Sequence, residues 1–433
     1  MIIKASYSEM VNVLNLMSLV TSSKTIQEGY KSINLFVKDN KLHALSTDGK
    51  LFCMNSFDGE YDLEGETNPF MVITIKEISD ILSKYSSLQR TQVKEVVLST
   101  QQKGVVLTVV EEPKEVKGDS NFAFSDMYKN QSGRYKLSRS DVKPLITREL
   151  PTIVLPDGAI EVQSKELQKY LDYMYAPMSK PRDTVVLNFI DEFVYSIMGN
   201  VFGIAMPNNL PKEIFKDLSI SLPYMNFLRN IISMNDTFKV YKEVTKKKIP
   251  QSGVPEDQWP TQVSIVLYIK SGNTLIKLNT IDISAQGKIS TFKTDLPNSV
   301  EVDKPYLIDT LKRIEGDDQV YIEIDITEDE VVAGSSKAEF TIKTARTIQK
   351  IPVKSAVGSG SFRIMLRPES LNLMVFNHLT KDMDGNTDKV NDIVFFMDIL
   401  EKDMVSLCCR DKTDDWQTRY PRAPLREAPL LDF

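Results

Sequence analysis

The sequence predicts an α+β protein built from six similar units, each with one amphipathic helix followed by three or four short antiparallel strands. Apolar residues recur at helical spacing in six segments of similar length. Between these segments apolar and polar residues alternate at every second position, with turn residues at intervals of about 8–12 positions. Identities between the units are poor, so the pattern repeats rather than the residues.

The first helix is predicted at 8–23, where Met10, Val13, Leu14, Met17 and Val20 fall on one face. Five further helices are predicted at 74–85, 164–175, 222–234, 304–314 and 367–380. The last two have a proline near the first turn, where the missing N–H costs little.

The first block of strands is "INLFVKDNKLHALSTDGKLFCMNSF", residues 33–57. It predicts three strands, because Asp39-Asn40 and Asp48-Gly49 contain residues that tolerate the backbone of tight hairpin turns. Ten further strands show the same alternation: 93–100, 104–110, 184–190, 193–199, 264–270, 274–280, 320–326, 338–344, 393–399 and 404–409.

Pairs of units make three predicted domains, residues 1–148, 149–286 and 287–412. Two less regular stretches, 111–134 and 245–262, are predicted as loops. The proline-rich end of the chain, 413–433, has no period and is predicted to be an extended C-terminal tail.

Composition removes several classes of function. With 433 residues and 42% hydrophobic content the chain can bury sizeable cores, but it has no apolar run of membrane-spanning length. The N-terminal residues lack the regions of a signal peptide, and three cysteines form no C-x-x-C pair, so we expect a cytoplasmic protein that does not enter a membrane. Two histidines make a zinc site or a Ser-His-Asp triad hard to build. We therefore expect no enzyme, no cofactor and no metal.

Two short motifs partly match the patterns of ligand-binding loops. "DMDGNTD", residues 382–388, resembles the start of a calcium loop, but the sixth and twelfth positions are Thr387 and Ile393 where glycine and glutamate are needed. It is interpreted as a solvated turn. "GSGSF", residues 358–362, lacks the lysine and the helix of a phosphate loop and is predicted to be a flexible turn.

Positive charge concentrates on the predicted helices. Counted with their flanking residues, as 8–24, 74–90, 164–182, 222–235, 304–315 and 367–381, the six segments carry a net charge of +6. The whole chain carries −6, so the remaining sequence carries −12. Such a surface suits weak, sequence-independent contact with phosphates, and ordinary solvated helix faces are the alternative. The first segment is neutral and the other five are positive, and this uneven split of charge across units in the same structural position favours DNA binding. The candidate residues are Lys24, Lys76, Lys84, Arg90, Lys165, Lys169, Lys180, Arg182, Arg229, Lys312, Arg313 and Lys381.

The pattern resembles the bacterial type of DNA polymerase sliding clamp. Residues 10–57, from "MVNVLNLMSLVTSSK" to "LFCMNSF", follow the helix and strands of that family, including an x-T-D turn at Ser46-Thr47-Asp48. "FMVITIKEISDILSKY", residues 70–85, is similar to its next strand and helix. The chain is longer than typical bacterial clamps, which suggests a phage or otherwise divergent member.

The resemblance implies three tandem clamp domains and a head-to-tail homodimer that closes into a ring. Helices would line a hole through which double-stranded DNA passes, and the DNA polymerase would dock on one rim after a clamp loader places the ring. The function implied is that of a processivity factor.

The tail ends in "APLLDF", and Leu430, Leu431 and Phe433 are similar to the short peptides through which partners bind clamps, although the leading glutamine of those peptides is missing. We therefore expect either a regulatory peptide or an inert tail. Two other functions remain open: a monomeric DNA-binding accessory subunit of a polymerase or transcription machinery with an open basic face, and a capsid or tail protein.

Overall fold

The chain, in a computed structural model, forms two compact units. Unit 1 comprises Met1–Lys165 and Asn230–Thr280, and unit 2 comprises Glu166–Arg229 and Ile281–Phe433. The structure describes residues 1–21, 28–63, 70–88, 91–101, 104–113, 132–137, 153–175, 186–190, 193–198, 202–253, 255–282, 296–314, 319–328, 336–366, 371, 392–400, 404–411 and 417–424.

Five of the six predicted helices lie in this described part, and a short extra helix is added. The helices are α1 (Tyr7–Ser18), α2 (Ile75–Ser83), α3 (Ser164–Tyr175), α4 (Lys212–Phe215), α5 (Leu222–Ile232) and α6 (Lys304–Arg313). Two single turns of 3-10 helix occur at Glu28–Lys31 and Glu256–Gln258. The predicted helix at 367–380 falls outside the described residues apart from Leu371.

Strands make up most of the described chain. The first thirteen are β1 (Ile2–Ser6), β2 (Ser32–Lys38), β3 (Lys41–Thr47), β4 (Leu51–Phe57), β5 (Glu60–Asp62), β6 (Phe70–Thr74), β7 (Thr91–Gln101), β8 (Gly104–Pro113), β9 (Ser132–Leu137), β10 (Ile160–Gln163), β11 (Val186–Phe189), β12 (Phe193–Met198) and β13 (Phe202–Pro207). The others are β14 (Leu218–Ser221), β15 (Thr237–Lys248), β16 (Thr261–Ser271), β17 (Thr274–Asp282), β18 (Asn298–Asp303), β19 (Val320–Glu328), β20 (Ser336–Lys343), β21 (Ile348–Ile351), β22 (Val353–Val357), β23 (Gly360–Leu366), β24 (Asp392–Leu400), β25 (Met404–Asp411) and β26 (Gln417–Pro424). The α+β fold class is confirmed, and each strand segment predicted above coincides with one of these strands.

Unit 1 contains two antiparallel sheets. One has the order β5-β1-β7-β8-β9, and the other runs β10-β15-β16-β17-β4-β3-β2-β6. In the second sheet β17 pairs with β4, from Thr274 opposite Asn55 to Leu278 opposite Leu51. The pairing joins strands from the first two predicted domains into one sheet. The predicted domain boundaries therefore stay predictions, because the two compact units change over at other residues, near 165, 229 and 280.

Unit 2 is a single network of antiparallel strands. Its order β14-β11-β12-β13-β26-β25-β24-β18-β22 continues through one residue pair to β20. A second run has the order β23-β19-β20-β21. Packing between Phe340 and Phe395, whose ring centroids lie 5.2 Å apart in an edge-on arrangement, marks the core of this unit.

One arrangement of strands occurs three times along the chain. Four strands form a meander, β6-β2-β3-β4, then β14-β11-β12-β13, then β23-β19-β20-β21. Four others form a hairpin block, β1-β7-β8-β9, then β10-β15-β16-β17, then β18-β24-β25-β26. The hairpin blocks begin with the strand that enters α1, α3 and α6, respectively. The repetition predicted from the sequence pattern is thus present in the pairing of the strands.

The predicted loop at 245–262 is wrong. Residues 245–248 and 261–262 belong to β15 and β16, which pair up to Lys248 opposite Thr261. The sequence pattern failed because both faces are exposed beyond Glu243, so apolar and polar residues have no reason to alternate. Only residues 249–260 form the connection, and Ile249 N donates a 2.9 Å hydrogen bond to Pro260 O across it.

Two other irregular stretches also contain strands. In the predicted loop at 111–134, residues 111–113 end β8 and residues 132–134 begin β9. In the predicted tail, residues 417–424 form β26, which pairs with β25 and β13. β26 holds the place that β9 and β17 hold in the other hairpin blocks, so this part of the tail completes a sheet.

The turns predicted in the first meander are confirmed. Asp39 and Asn40 have φ of 52° and 57°, which makes the two-residue hairpin that the sequence indicates. Asp48 Oδ1 accepts hydrogen bonds from Lys50 N (2.8 Å) and Leu51 N (2.7 Å). The turn predicted at 358–362 begins with Gly358, which has φ of +90°. A Cβ at this position would lie 2.1 Å from Asn298 Oδ1. Glycine is therefore required at this position.

Candidate nucleic-acid interface

Each described long helix follows a strand without an intervening loop. β1 leads into α1, β6 into α2, β10 into α3, β14 into α5 and β18 into α6. In α1 and α6 the last strand residue also caps the helix: Ser6 Oγ accepts from Glu9 N (3.1 Å), and Asp303 Oδ1 accepts from Tyr306 N (2.8 Å). Direct entry fixes one helix face on the sheet and leaves the other face to solvent.

In unit 1, α1 and α2 pack side by side, and Tyr7 Oη donates a 3.2 Å hydrogen bond to Leu82 O across them. Their apolar faces, which include Met10, Met17 and Ile78, are buried. The exposed side of α1 carries neutral polar residues such as Asn12 and Asn15, whereas α2 exposes Lys76, Asp80 and Lys84. The exposed helix surface is thus polar. Glu9 and Glu77 are also partly exposed, so the described residues of α1 and α2 carry no net positive charge, and the predicted positive charge of this surface stays a prediction.

Seven of the twelve predicted DNA-binding residues lie in the described part of the chain. Exposed residues among them are Lys76, Lys84, Lys165, Lys312 and Arg313, and partly buried ones are Lys169 and Arg229. The other five, Lys24, Arg90, Lys180, Arg182 and Lys381, fall outside the described residues. So do Leu430, Leu431 and Phe433 of the tail.

Two of these cations already have carboxylate partners. Arg229 Nε of α5 forms an ion pair with Asp172 Oδ1 of α3, and Asp172 also accepts a 3.0 Å hydrogen bond from Gln168 Nε2. Lys312 Nζ lies 3.4 Å from Asp309 Oδ1 on the same helix. These two side chains are therefore less available to phosphates than the sequence suggests.

Part of the positive charge has a structural explanation. Lys84 is the C-cap of α2, and Lys312 and Arg313 lie in the last turn of α6. Cations at helix C-termini offset the negative end of the helix dipole by about 0.3–1 kcal/mol each. Lys76, Lys165 and Lys169 lie in first turns or mid-helix, so a dipole does not explain them, and they are the stronger candidates for phosphate contact.

One basic segment was not assigned to DNA by the sequence reasoning. Lys246, Lys247 and Lys248 are exposed on the extended hairpin of β15 and β16. The run "TKKK" was a visible signal, but it fell in a stretch interpreted as a loop.

The described residues hold neither a candidate metal site nor a helix that could span a membrane. Among the described residues no group of three or more His, Cys, Asp or Glu side chains could hold a metal ion. The motif at 382–388 lies outside those residues. None of the described helices is long and apolar enough to cross a membrane.

No protein-family model matches the sequence, and the search of curated proteins found no significant match. Solved structures match over almost the full length of both chains. The DNA polymerase sliding clamp of Caulobacter crescentus superposes with a TM-score of 0.63 at 11% identity, covering 98% of this chain and 100% of that chain. The DNA polymerase III beta subunit of Thermotoga maritima gives 0.62 at 11% identity, covering 98% and 100%. The sliding clamp of Bacillus subtilis gives 0.61 at 12% identity with the same coverage. This chain has the fold of the bacterial DNA polymerase sliding clamps.

Proposed function

We propose that this protein is a DNA polymerase processivity factor, a sliding clamp that encircles duplex DNA and tethers a replicative polymerase. The observation that carries the proposal is the full-length match to solved sliding clamps, in which about the whole of each chain is covered. The threefold repeat of meander and hairpin block supports it, because a closed ring needs equivalent elements at regular intervals.

Ring closure is supported by two strand edges. Within the described residues β9 pairs only with β8, and β21 pairs only with β20. β9 is the last strand of the first hairpin block, and β21 is the end strand of the third meander. Their counterparts are paired within the chain: β17 with β4, and β26 with β13. We infer that β9 of one copy pairs with β21 of the next, head to tail.

The register of this contact follows from the two pairings inside the chain. Leu275 lies opposite Met54 in the first, and Gln417 lies opposite Ala205 in the second. Counting along the paired strands shows that these two pairs occupy equivalent positions. On the same count we propose that Arg134 of β9 lies opposite Ile348 of β21.

Side-chain direction supports this register. Arg134 is exposed, and Ile348 is 40% exposed, while their neighbours Leu137 and Ile351 are buried. A shift by one residue would pair side chains from the helix-contacting face of one strand with side chains from the solvent-facing side of the other. Two copies would then provide six domains, with boundaries near 148, 286 and 412 in each.

A ring explains why a modest positive charge suffices. Retention would be topological, so weak contacts from Lys76, Lys165 and Lys169 would position the duplex without holding it at one site. Double-stranded DNA, a polymerase and a clamp loader are the proposed partners, in the cytoplasm. The 10–12% identities to the solved clamps fit a divergent member, and phage origin stays a prediction. Leu430, Leu431 and Phe433 remain proposed as a partner-like peptide.

Sedimentation over a range of concentrations tests the head-to-tail dimer. We expect a species of about twice the chain mass of 49.2 kDa. Ile348→Arg should weaken the dimer at least about tenfold, because it sets like charges opposite each other at Arg134. Arg134→Glu combined with Ile348→Arg should restore it.

Ile399→Arg is the matched control, since Ile399 is 44% exposed on β24, pairs with Val405 of β25 and belongs to neither β9 nor β21. It should leave the dimer unchanged. A monomer at all concentrations would reject the ring and favour the alternative function, an accessory subunit that binds DNA on an open basic face.

A further inference from the structure

The hairpin of β15 and β16 projects far beyond the sheet to which it belongs. β7 extends two residues past its pairing with β1, from Ser99 to Gln101. β24 extends three residues past its pairing with β18, from Met397 to Leu400. β15 extends eight residues past Val240, the last that pairs with β10, and ends at Lys248. We call residues 244–263 the basic ribbon.

The basic ribbon is a two-stranded structure with order of its own. Five residue pairs continue the ladder without a bulge, from Val244 opposite Ile265 to Lys248 opposite Thr261. The tip is closed by hydrogen bonds from Ile249 N to Pro260 O (2.9 Å) and from Lys248 Nζ to Glu256 O (2.9 Å). At about 3.3 Å per residue, Val244–Lys248 alone reaches about 16 Å. It is therefore an arm rather than an irregular loop.

The ribbon turns two of its lysines to the sheet face on which a helix lies. Ser271 of β16 donates its hydroxyl to Ile231 O, in the last turn of α5. Side chains alternate between faces, so Ile265 and Val263 share the face of Ser271. Lys246 lies opposite Val263 and Lys248 opposite Thr261, which puts both lysines on that face. The other face at the base of the hairpin carries Lys239 and Lys270, which are paired directly.

The lysines of the ribbon keep their charge uncompensated across the strands. Lys246, Lys247 and Lys248 lie opposite Val263, Gln262 and Thr261, which are neutral. The nearest acidic residue on β15, Glu243, accepts a 3.0 Å hydrogen bond from Tyr268 Oη. Burial and this hydrogen bond raise the pKa of Tyr268 to about 12. Within the described residues the paired strand segments 244–248 and 261–263 contain no carboxylate, and the acidic residues of the ribbon, Glu256 and Asp257, lie at its tip.

We propose that the basic ribbon is a DNA-contacting arm, in which Lys246 and Lys248 bind backbone phosphates of the duplex. The inference rests on the proposed function, because the helix side of the sheets is where a clamp would hold DNA. Two-stranded antiparallel ribbons fit a DNA groove in width, and lysine suits phosphate contact without reading sequence. The arm would add contacts outside the helices and slow movement of the protein along DNA.

The test measures binding of a fluorescein-labelled linear duplex by anisotropy as salt is raised. Each phosphate contact contributes a slope of about 0.9 in log affinity against log salt. Lys246→Gln with Lys248→Gln should reduce the slope by roughly two and weaken binding at low salt by about tenfold or more. Lys239→Gln with Lys270→Gln removes the same charge from the same hairpin on the opposite face, and should change affinity by less than about twofold.

A second variant keeps the test independent of lysine chemistry. Replacing Thr245–Ser264 with Asn-Gly would leave Val244 opposite Ile265 and give a two-residue turn like that between β2 and β3. This variant should lose as much affinity for DNA as the Lys246/Lys248 variant and keep the oligomeric state of the wild type.

The possible outcomes distinguish failure of the proposed DNA-contacting arm from failure of the proposed clamp function. Equal affinity and slope for the wild type and the Lys246/Lys248 variant would overturn the arm while leaving the clamp intact, and would assign the ribbon to an acidic protein partner. Equal losses in both lysine pairs would also overturn it, since general charge would then explain binding. A wild type that neither binds duplex nor dimerises would reject both proposals.

Discussion

The first and third meanders have the same strand order but opposite chemistry on one sheet face, the face opposite Leu35 in the first and Ile322 in the third. In unit 1, Phe36 of β2 lies opposite Phe70 of β6. In unit 2, at the corresponding position, Glu323 of β19 lies opposite Arg363 of β23. One fold therefore accommodates an apolar pair and an ion pair at the same place in the sheet.

What covers each face explains the difference. Phe36 is 3% exposed and packs with Leu45, Phe52 and Ile153, with Leu275 of β17 at the margin. The cluster is buried because Ile153, from the segment that precedes β10, packs on it, and Leu275 of β17 extends it beyond β4. On the third meander β21 has no such neighbour among the described residues, and water still reaches the face.

The third meander instead forms a network of charges. Arg363 binds Asp325 through two hydrogen bonds, of 2.9 and 3.1 Å, and lies 3.7 Å from Glu323. Lys343 Nζ lies 2.6 Å from Glu323 Oε2. Apolar burial stabilises the junction of β17 with β4 within the chain, whereas the proposed contact of β21 with β9 of another copy would lie beside a polar face. Four changes of decreasing effect test this comparison.

Phe36→Ala should have the largest effect. Removing a buried ring leaves a cavity, and we expect the free energy of unfolding of the protein to fall by about 3–5 kcal/mol. Urea denaturation followed by fluorescence measures it. A loss below about 1 kcal/mol would show that the apolar cluster does not stabilise the junction.

Arg363→Met should cost less, about 1–3 kcal/mol, because Glu323 and Asp325 keep partial access to water when their partner is lost. Arg363→Lys is the matched control: it keeps the charge but not the paired hydrogen bonds, so its unfolding free energy should lie between the two. Stabilisation by Arg363→Met would mean that desolvation of the network outweighs its attraction.

The network should also respond to acid. Burial raises the pKa of Asp325, but hydrogen bonds from Arg363 and Ser361 outweigh it and hold the pKa below the ordinary value of 3.8. This contribution to stability is present above that value and is lost as pH falls through the lowered pKa. Asp325→Asn should therefore flatten the fall in unfolding free energy below pH 3.8. An unchanged acid profile would contradict this.

The smallest effect is expected from the exposed pair next to the free edge. Lys350 Nζ lies 3.8 Å from Glu339 Oε2, and both side chains are 75% exposed. Lys350→Ala should change the unfolding free energy by less than about 0.5 kcal/mol, because exposed ion pairs are screened. A larger loss in thermal denaturation would show that this edge is more ordered than its exposure indicates.

The sequence predicted elements best where one face of a helix or strand is buried. Burial makes apolar residues recur, as in Ile322, Ile324 and Ile326 of β19. Prediction from the sequence failed in the basic ribbon, where both faces are exposed, and at β26, where two prolines interrupt the pattern. It also missed the short strands before the helices, such as β10 and β18, because about five residues carry too little period.

The candidate surface was predictable only as a set of charges. Spacing placed Lys76 and Lys165 on exposed helix faces, as the structure confirms. It could not show that Asp172 of α3 neutralises Arg229 of α5, because the two residues are 57 positions apart and meet only in the folded chain. The free edges β9 and β21 required the pairing of all other strands to be known.

The most direct test of the central claim asks whether the protein is linked topologically to DNA. Arg134→Cys with Ile348→Cys, made together with Cys408→Ser, would place one thiol on each side of the proposed contact, and the remaining native Cys53 and Cys409 are buried. Cross-linking with a bismaleimide in the presence of circular plasmid should trap rings that stay on the DNA in detergent. They should be released when the plasmid is linearised. Release from circular and linear DNA alike would contradict the account, and the open accessory subunit would replace it.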